Sequence, residues 1–217
     1  MTAAQGDLGP PAVELMGGRD EALRVSEILA PADPETFIRR LYAELDVCVT
    51  RAETKANHYS TLGEESITAL AFMGPLDHIG YRVGCEPDHR GHADIIIEPG
   101  QVSGDRYRWL GEAKIHGAYD DLFYCLAQLL TRRTTGKEGR GGVILYVRTK
   151  TKTLADVMAE WRHRLEEEKA HKLQAVSDDE CPGNFRSLHS HPNTGFDFEV
   201  RHFGVVLRYA PEEDGSE

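Results

Sequence analysis

The sequence predicts an α/β fold with a mixed central β-sheet flanked by helices, on three observations. Segments with helical apolar spacing alternate with short strand-like runs in the order helix, three strands, helix, strand. The run Gly142-Val143-Ile144-Leu145-Tyr146-Val147 is almost wholly apolar, as a strand covered on both faces must be. Between it and the preceding strand lies Tyr119–Arg133, long enough to serve as a crossover helix joining two parallel neighbours.

The first residues, 1–18, are rich in Gly, Pro and Ala and are expected to be flexible. A helical region over 19–60 follows. Asp33-Pro34-Glu35 marks a helix start, with Asp33 as N-cap and Pro34 at the first helical position, and Phe37, Ile38, Leu41, Leu45 and Val49 form its buried stripe. Residues 61–210 form the core domain. Thr61-Leu62-Gly63-Glu64 fits a capping box opening a helix through Ile67, Leu70, Ala71 and Met73 that ends near Gly74-Pro75. Strands are expected at Tyr81–Cys85, Ala93–Glu98 and Tyr107–Ile115, the last two joined through Pro99-Gly100 and Ser103-Gly104-Asp105.

The Tyr119–Arg133 helix then turns Leu122, Phe123, Leu126, Leu129 and Leu130 inward. A further helix carries Leu154, Val157, Met158, Trp161 and Leu165 and ends in charge. A polar loop leads to strand-like alternation from Phe196 to Tyr209, and 211–217 is an acidic tail.

At 217 residues and 40% hydrophobic content the chain can bury one sizeable core. The mean hydropathy of −0.45 is that of an ordinary globular protein. No apolar run approaches a membrane span, and the N-terminus lacks a basic region followed by an apolar stretch. Cys48, Cys85, Cys125 and Cys181 are scattered, with Cys125 on a helix interior, so a reducing cytoplasm is expected over a disulfide framework.

The net charge of −11 runs against free-standing nucleic-acid binding, which draws most of its non-specific affinity from cationic side chains. Part of the acidity is peripheral, at Asp178-Asp179-Glu180 and Glu212-Glu213-Asp214. Arg132, Arg133, Lys137, Arg140, Arg148, Lys150 and Lys152 concentrate the opposite charge. They read either as a phosphate-facing patch on an acidic body or as a solvated helix end and loop. A protein partner that brings the nucleic acid would also resolve the mismatch.

Two blocks carry the chemistry. Arg90-Gly91-His92-Ala93-Asp94-Ile95-Ile96-Ile97-Glu98 and Trp109-Leu110-Gly111-Glu112-Ala113-Lys114 are strands with acids among apolar residues. Alternation puts Glu112 and Lys114 on one face, and pairing of the strands lets Asp94 join them. Two carboxylates and an ammonium so placed suit a hard divalent cation with a polarised water beside it. The structural alternative is an edge-strand salt bridge that resists aggregation.

These residues, Asp94 followed by Glu112-Ala113-Lys114, resemble the PD-(D/E)xK nuclease superfamily over roughly the middle half of the chain, from about Thr61 to Arg148; Ala93 stands where the family usually has proline. The resemblance implies a restriction-endonuclease-like fold and Mg²⁺-dependent hydrolysis of DNA phosphodiesters, with Mn²⁺ as substitute. Asp94, Glu112 and the Ile115 carbonyl would hold the metal, and Lys114 would orient or activate the attacking water. An acid on the preceding helix often completes such sites. Glu65 is favoured over Glu64, which has the capping box to serve. Gln128 matches a position where similar nucleases carry a polar residue, and Arg132, Arg133, Lys137 and Arg140 are candidate phosphate contacts. A homodimer and a role in prokaryotic defence or restriction also follow by analogy.

Competing chemistry is thinner. Cys85, His89 and His92, and Cys181, His189 and His191, offer zinc-ligand types without zinc-site spacing; Cys85 reads as core and the His189–His191 loop as exposed. Gly136-Lys137-Glu138-Gly139-Arg140-Gly141 lacks P-loop spacing and precedes a strand, and no Gly-x-Ser-x-Gly elbow is present. Beside the DNA nuclease stand two other functions: a catalytically silent binding or regulatory subunit of the same fold, and an enzyme acting on RNA or a nucleotide.

Overall fold

The computed structural model describes residues 12–85 and 94–208, without the side chains of residues 12–17 and Arg132. The expected tail at 211–217, and His89 and His92, lie outside them. A seven-stranded mixed sheet runs in the order β1-β2-β3-β4-β7-β6-β5. Its strands are β1 (Arg82–Gly84), β2 (Ile95–Glu98), β3 (Trp109–Ile115), β4 (Arg140–Val147), β5 (Leu173–Asp178), β6 (Phe185–Ser190) and β7 (Asp197–Val206). The central pairs β3/β4 and β4/β7 are parallel; β1/β2, β2/β3, β7/β6 and β6/β5 are antiparallel.

Helices cover both faces. On one face α1 (Ala12–Leu29), α2 (Pro34–Thr54), the short α3 (Ala56–Tyr59), α4 (Glu64–Thr68) and α5 (Gly74–His78) pack over Ile95, Ile97, Trp109, Ala113, Ile144, Tyr146, Phe203 and Val205. On the other, α6 (Tyr119–Gln128) and α7 (Leu154–Glu168) cover Ile96, Leu110, Val143, Leu145, Val147, Phe198 and Val200. Each of β2, β3 and β4 therefore divides its side chains between two cores, which is why these strands are apolar on both faces.

Local rules account for most boundaries. Asp33 caps α2 by accepting the Thr36 amide at 2.7 Å, with Pro34 in the first turn. Thr153 and Asp156 form a reciprocal capping box at α7. Trp109 is fully buried and its indole lies across Gly111 and Gly142. A Cβ at either glycine would come within 2.6 Å of the ring, so these strand positions have no room for a side chain.

Several expectations are corrected. α1 begins by Ala12 rather than after residue 18, and Ile28 and α2 share the sheet's own core, so the N-terminal helices do not form a separate region. No Thr61 capping box forms: Gly63 is the N-cap of α4 and makes no side-chain bond. Pro75 does not end the helical run. A π turn, Ala69–Met73, leads directly into α5, where the proline occupies the first turn. That π turn rotates Leu70 outward to 60% exposure.

The polar loop is in fact β5 and β6. Serine and histidine fill inward positions of β6, so its burial alternates while its hydropathy does not. His189 and His191 are fully buried, and Cys85 is exposed. No helix among the described residues is long and apolar enough to cross a membrane.

Candidate active site

The last paired residues of β2 and β3 are Ile95 and Gly111. One further step in antiparallel register sets Asp94 opposite Glu112, but there the strands part and their side chains take over the bonding. Asp94 Oδ2 accepts the Ala113 amide at 2.8 Å. Residues 112, 114 and 116 turn their backbone groups toward β4, as the bond from the His116 amide to the Tyr146 carbonyl shows. Ala113 and Ile115 therefore present theirs to the β2 side, where the Ala113 amide meets Asp94, and the Ile115 carbonyl faces that side.

Glu112 is 3% exposed on an interior strand, which removes the edge-strand salt bridge as an account of it. Its partner is Arg133, whose Nε donates to Oε1 at 2.7 Å. Lys114 pairs instead with Glu64: Nζ donates to Oε1 at 3.1 Å, and the Ile115 amide donates to Oε2 at 2.8 Å. Both Glu64 oxygens are thus committed to the protein. Asp94 and Glu112 each commit one oxygen and keep the other, Oδ1 and Oε2, without a hydrogen bond among the described residues.

Electrostatics mark the same two acids. Burial raises the Asp94 carboxyl, outweighing the Ala113 amide. Burial first, and then the charge of Asp94, push Glu112 up to about 8 in spite of Arg133. For Lys114 burial pulls downward, but the bond and charge of Glu64 raise it overall, so it stays cationic. A pair of acids that resist ionising together is stabilised by a cation placed at their free oxygens.

The described residues contain no group of three or more His, Cys, Asp or Glu side chains set as a coordination shell. Magnesium asks for less: one or two carboxylates, with waters completing the octahedron. The donor set here, two carboxylate oxygens and the Ile115 carbonyl, is all hard oxygen and fits it.

Glu64, not Glu65, reaches the site. Glu64 shares the helix face of the buried Ile67, Thr68 and Ala71, three, four and seven residues on, whereas Glu65 is exposed. That phase was the signal in the sequence, and the expected capping box hid it. Glu65 lies at the wall of an adjoining cavity of about 440 Å³, lined also by Glu64, Thr68, Ala69, Met73, Cys85 and Asp94. Gln128 is half-buried and bonds to none of the site residues.

The candidate phosphate contacts do not form one patch. Arg133 turns its side chain into the site, 8% exposed, at the end of a second π turn, Leu129–Arg133. Arg140 is paired with Glu35 at 2.7 Å and Glu199 at 3.6 Å. Lys137 is exposed, and the side chain of Arg132 lies outside the described residues. Arg133 was legible as inward-facing, because it continues the stripe of Leu122, Leu126, Leu129 and Leu130.

The second zinc set does not assemble. His189 bonds Ser187 and the His171 carbonyl, His191 bonds Thr134, and Cys181 stands beside Asp179. No family model, curated protein or solved structure matches the chain.

Proposed function

We propose that the chain is a metal-dependent nuclease of the PD-(D/E)xK type that hydrolyses DNA phosphodiester bonds. One observation carries the reading: Asp94 and Glu112, adjacent at the point where two strands part, each hold one carboxylate oxygen in place and leave the other without a hydrogen bond among the described residues, beside a lysine kept charged by Glu64. Asp94, Glu112 and the Ile115 carbonyl would hold Mg²⁺ or Mn²⁺. The ion supplies Lewis acidity toward a phosphoryl oxygen and lowers the pKa of its water.

The chain's own residues do the rest. The Ala113 amide and Arg133 fix the two carboxylates, so little reorganisation accompanies binding. Lys114 offsets the negative charge that grows on the phosphoryl oxygens and orients the attacking water. Glu64, saturated by Lys114 and the Ile115 amide, positions that lysine and is not itself a ligand. The cavity of about 440 Å³ beside Asp94 is where a nucleotide would approach.

A second reading is favoured by the commitment of Arg133 and Arg140 to acids on a chain of net charge −11. On it, a partner supplies the grip on DNA, as in a prokaryotic defence or restriction assembly, and this subunit alone binds weakly or regulates.

The test incubates purified protein with plasmid DNA or single-stranded RNA in Mg²⁺ or Mn²⁺, and measures Mn²⁺ binding by paramagnetic resonance. Cleavage of DNA is expected, with losses of about a thousandfold in Glu112→Ala and Lys114→Ala, and about tenfold to a hundredfold in Glu64→Gln. Glu65→Gln should stay within about twofold. Folded protein that binds no Mn²⁺ sinks the proposal. Binding without cleavage moves the assignment to the regulatory subunit, and cleavage of RNA alone moves it to a ribonuclease.

A further inference from the structure

The basic run Arg148-Thr149-Lys150-Thr151-Lys152-Thr153 leaves β4 at the strand end where the candidate site lies, and the catalytic reading gives it no role. On a chain of net charge −11, no acid occurs between Glu138 and Asp156. Arg148 spends its donors on the carbonyls of Tyr59 and Leu62 and so roots the loop. Thr149 shapes the next turn, its hydroxyl accepting the Thr151 amide at 3.2 Å. Lys150 and Lys152 stand exposed beyond it, and neither forms an ion pair among the described residues.

Packing holds this charge beside the site. Lys152 Nζ lies 5.5 Å from the ring centre of Tyr119, the first residue of α6. The Arg164 guanidinium of α7 approaches the same ring at 4.6 Å, and the His116 ring meets it edge-to-face with centres 5.1 Å apart. A cation over an aromatic face is positioned without being neutralised. The two acids that Lys152 acts on are committed elsewhere, Asp156 to the Thr153 cap and Glu160 to Arg164 at 2.6 Å. Asp120 and Asp121, next along α6, mark the limit of the basic corner. Strand alternation ties that corner to the chemistry. His116 continues the face of Glu112 and Lys114, and its amide still bonds the Tyr146 carbonyl of β4 at 2.9 Å. Two residues of strand span about 7 Å, so His116, with Tyr119 and Lys152 behind it, begins one such step beyond Lys114.

We infer that Lys150 and Lys152, with Arg164 beside them, form the surface that grips the phosphate backbone of DNA to one side of the site. The inference rests on the nuclease reading above. It deepens that reading by assigning backbone contacts that Arg133 and Arg140, both paired with acids, do not supply. A strand whose scissile phosphate sits at Lys114 passes its neighbouring phosphates over this corner. Lysines meet phosphates as point charges and threonine hydroxyls add donors, so the grip carries no base preference.

The test measures binding of a fluorescein-labelled DNA duplex to the full chain by anisotropy, without divalent metal, from about 50 to 200 mM salt. The double variant Lys150→Ala with Lys152→Ala changes exposed loop residues only. It should bind about tenfold more weakly at the lower salt, and its salt slope should be shallower by about 2, one for each lost phosphate contact. Duplexes of unrelated sequence should lose equally. Lys172→Ala, at an exposed lysine just ahead of the edge strand β5, should stay within about twofold. The inference is overturned if wild type binds no duplex, if the double variant binds with wild-type affinity and slope, or if Lys172→Ala loses as much. Wild type that cuts DNA while the double variant binds normally overturns this inference alone. Binding that is lost in the double variant, with no cleavage by wild type in Mg²⁺ or Mn²⁺, keeps the surface and removes the nuclease reading.

Discussion

Two groups of charges in this molecule, each centred on a buried acid, are built to opposite rules. Far from the parting of β2 and β3, an alternating chain of acids and guanidiniums ties α2 to β4, β7 and β6. Glu35 meets Arg140, Arg140 and Arg186 meet Glu199, Arg186 and Arg201 meet Asp179, and Arg201 reaches Asp46. Asp179 has a wholly buried side chain, and burial alone would raise its carboxyl. Arg201, the Cys181 amide and Arg186 more than reverse this and hold it below the ordinary aspartate range. The half-buried Asp94 and the buried Glu112 are raised. Burial is common to both places, and partner count sets the sign. The first group fastens elements together; among the described residues the second is short of positive charge, and two of its carboxylate oxygens accept no hydrogen bond.

The same substitution in the two places should therefore act in opposite directions. Asp179→Asn leaves the buried Arg201 and the half-buried Arg186 without their shared carboxylate, and should cost about 3 kcal/mol in a urea unfolding experiment. Asp94→Asn keeps an oxygen for the Ala113 amide and relieves Glu112 of a like charge. Without metal at pH 8 it should gain stability, on the order of 1 kcal/mol. A loss at both positions would show that the Asp94 cluster is structural as well, and the contrast would collapse.

A smaller effect sharpens the contrast through pH. Folded Glu112 keeps its proton up to about 8, while the unfolded chain releases it near 4.5, so the folded state binds more protons between these values. Metal-free stability must then fall as pH rises through that window. Two buried histidines act in reverse at its lower end. Burial holds His189 down at about 4 and His202 well below its ordinary value, so stability is lost as pH falls from 6.5 toward 4. Only the Glu112 slope remains between pH 6.5 and 8. Melting temperatures of the metal-free protein should decline across that interval, and Mg²⁺ or Asp94→Asn should flatten the decline. A flat profile in metal-free wild type contradicts the raised carboxyls.

How much of this could be read beforehand follows the same division. The cap at Asp33, the crossover over Tyr119–Arg133 and the apolar β4 were legible because each is a local pattern. So was the meeting of Asp94, Glu112 and Lys114 near one strand end, since alternation and pairing set it. β5 and β6 were not: β5 is an edge strand with no buried residue, and the inward polar residues of β6 are satisfied largely by partners on other elements. In β6, Ser187 bonds both His189 and His202, and Trp161 donates to the other side of His202. The ion-pair chain was invisible for that reason too: Asp46 and Arg201 are 155 positions apart. Glu64 fits a capping rule in the sequence, but the helix phase that sets it beside Ile67 and Thr68 decides its place.

The smallest predicted effect concerns how Glu64 is held. Thr68 spends its hydroxyl proton on the Glu64 carbonyl at 2.9 Å, so in its 2.9 Å contact with Tyr146 the phenol is the donor. Arg148 reinforces the same corner by donating to the carbonyls of Tyr59 and Leu62, just ahead of α4. The helix that presents Glu64 to Lys114 is thus pinned to β4 through Tyr146, and the turn ahead of it is held by Arg148, the residue after β4. Tyr146→Phe removes one of them and leaves the Thr68 donor bond intact, so no donor is orphaned, and the cost should be about 1 kcal/mol in urea unfolding. With the carbonyls of Tyr59 and Leu62 still held, Glu64 should keep its place and DNA cleavage should stay within about twofold. A stability loss as large as that of Asp179→Asn would mean that the two regions differ in charge alone and not in how their scaffolds are secured.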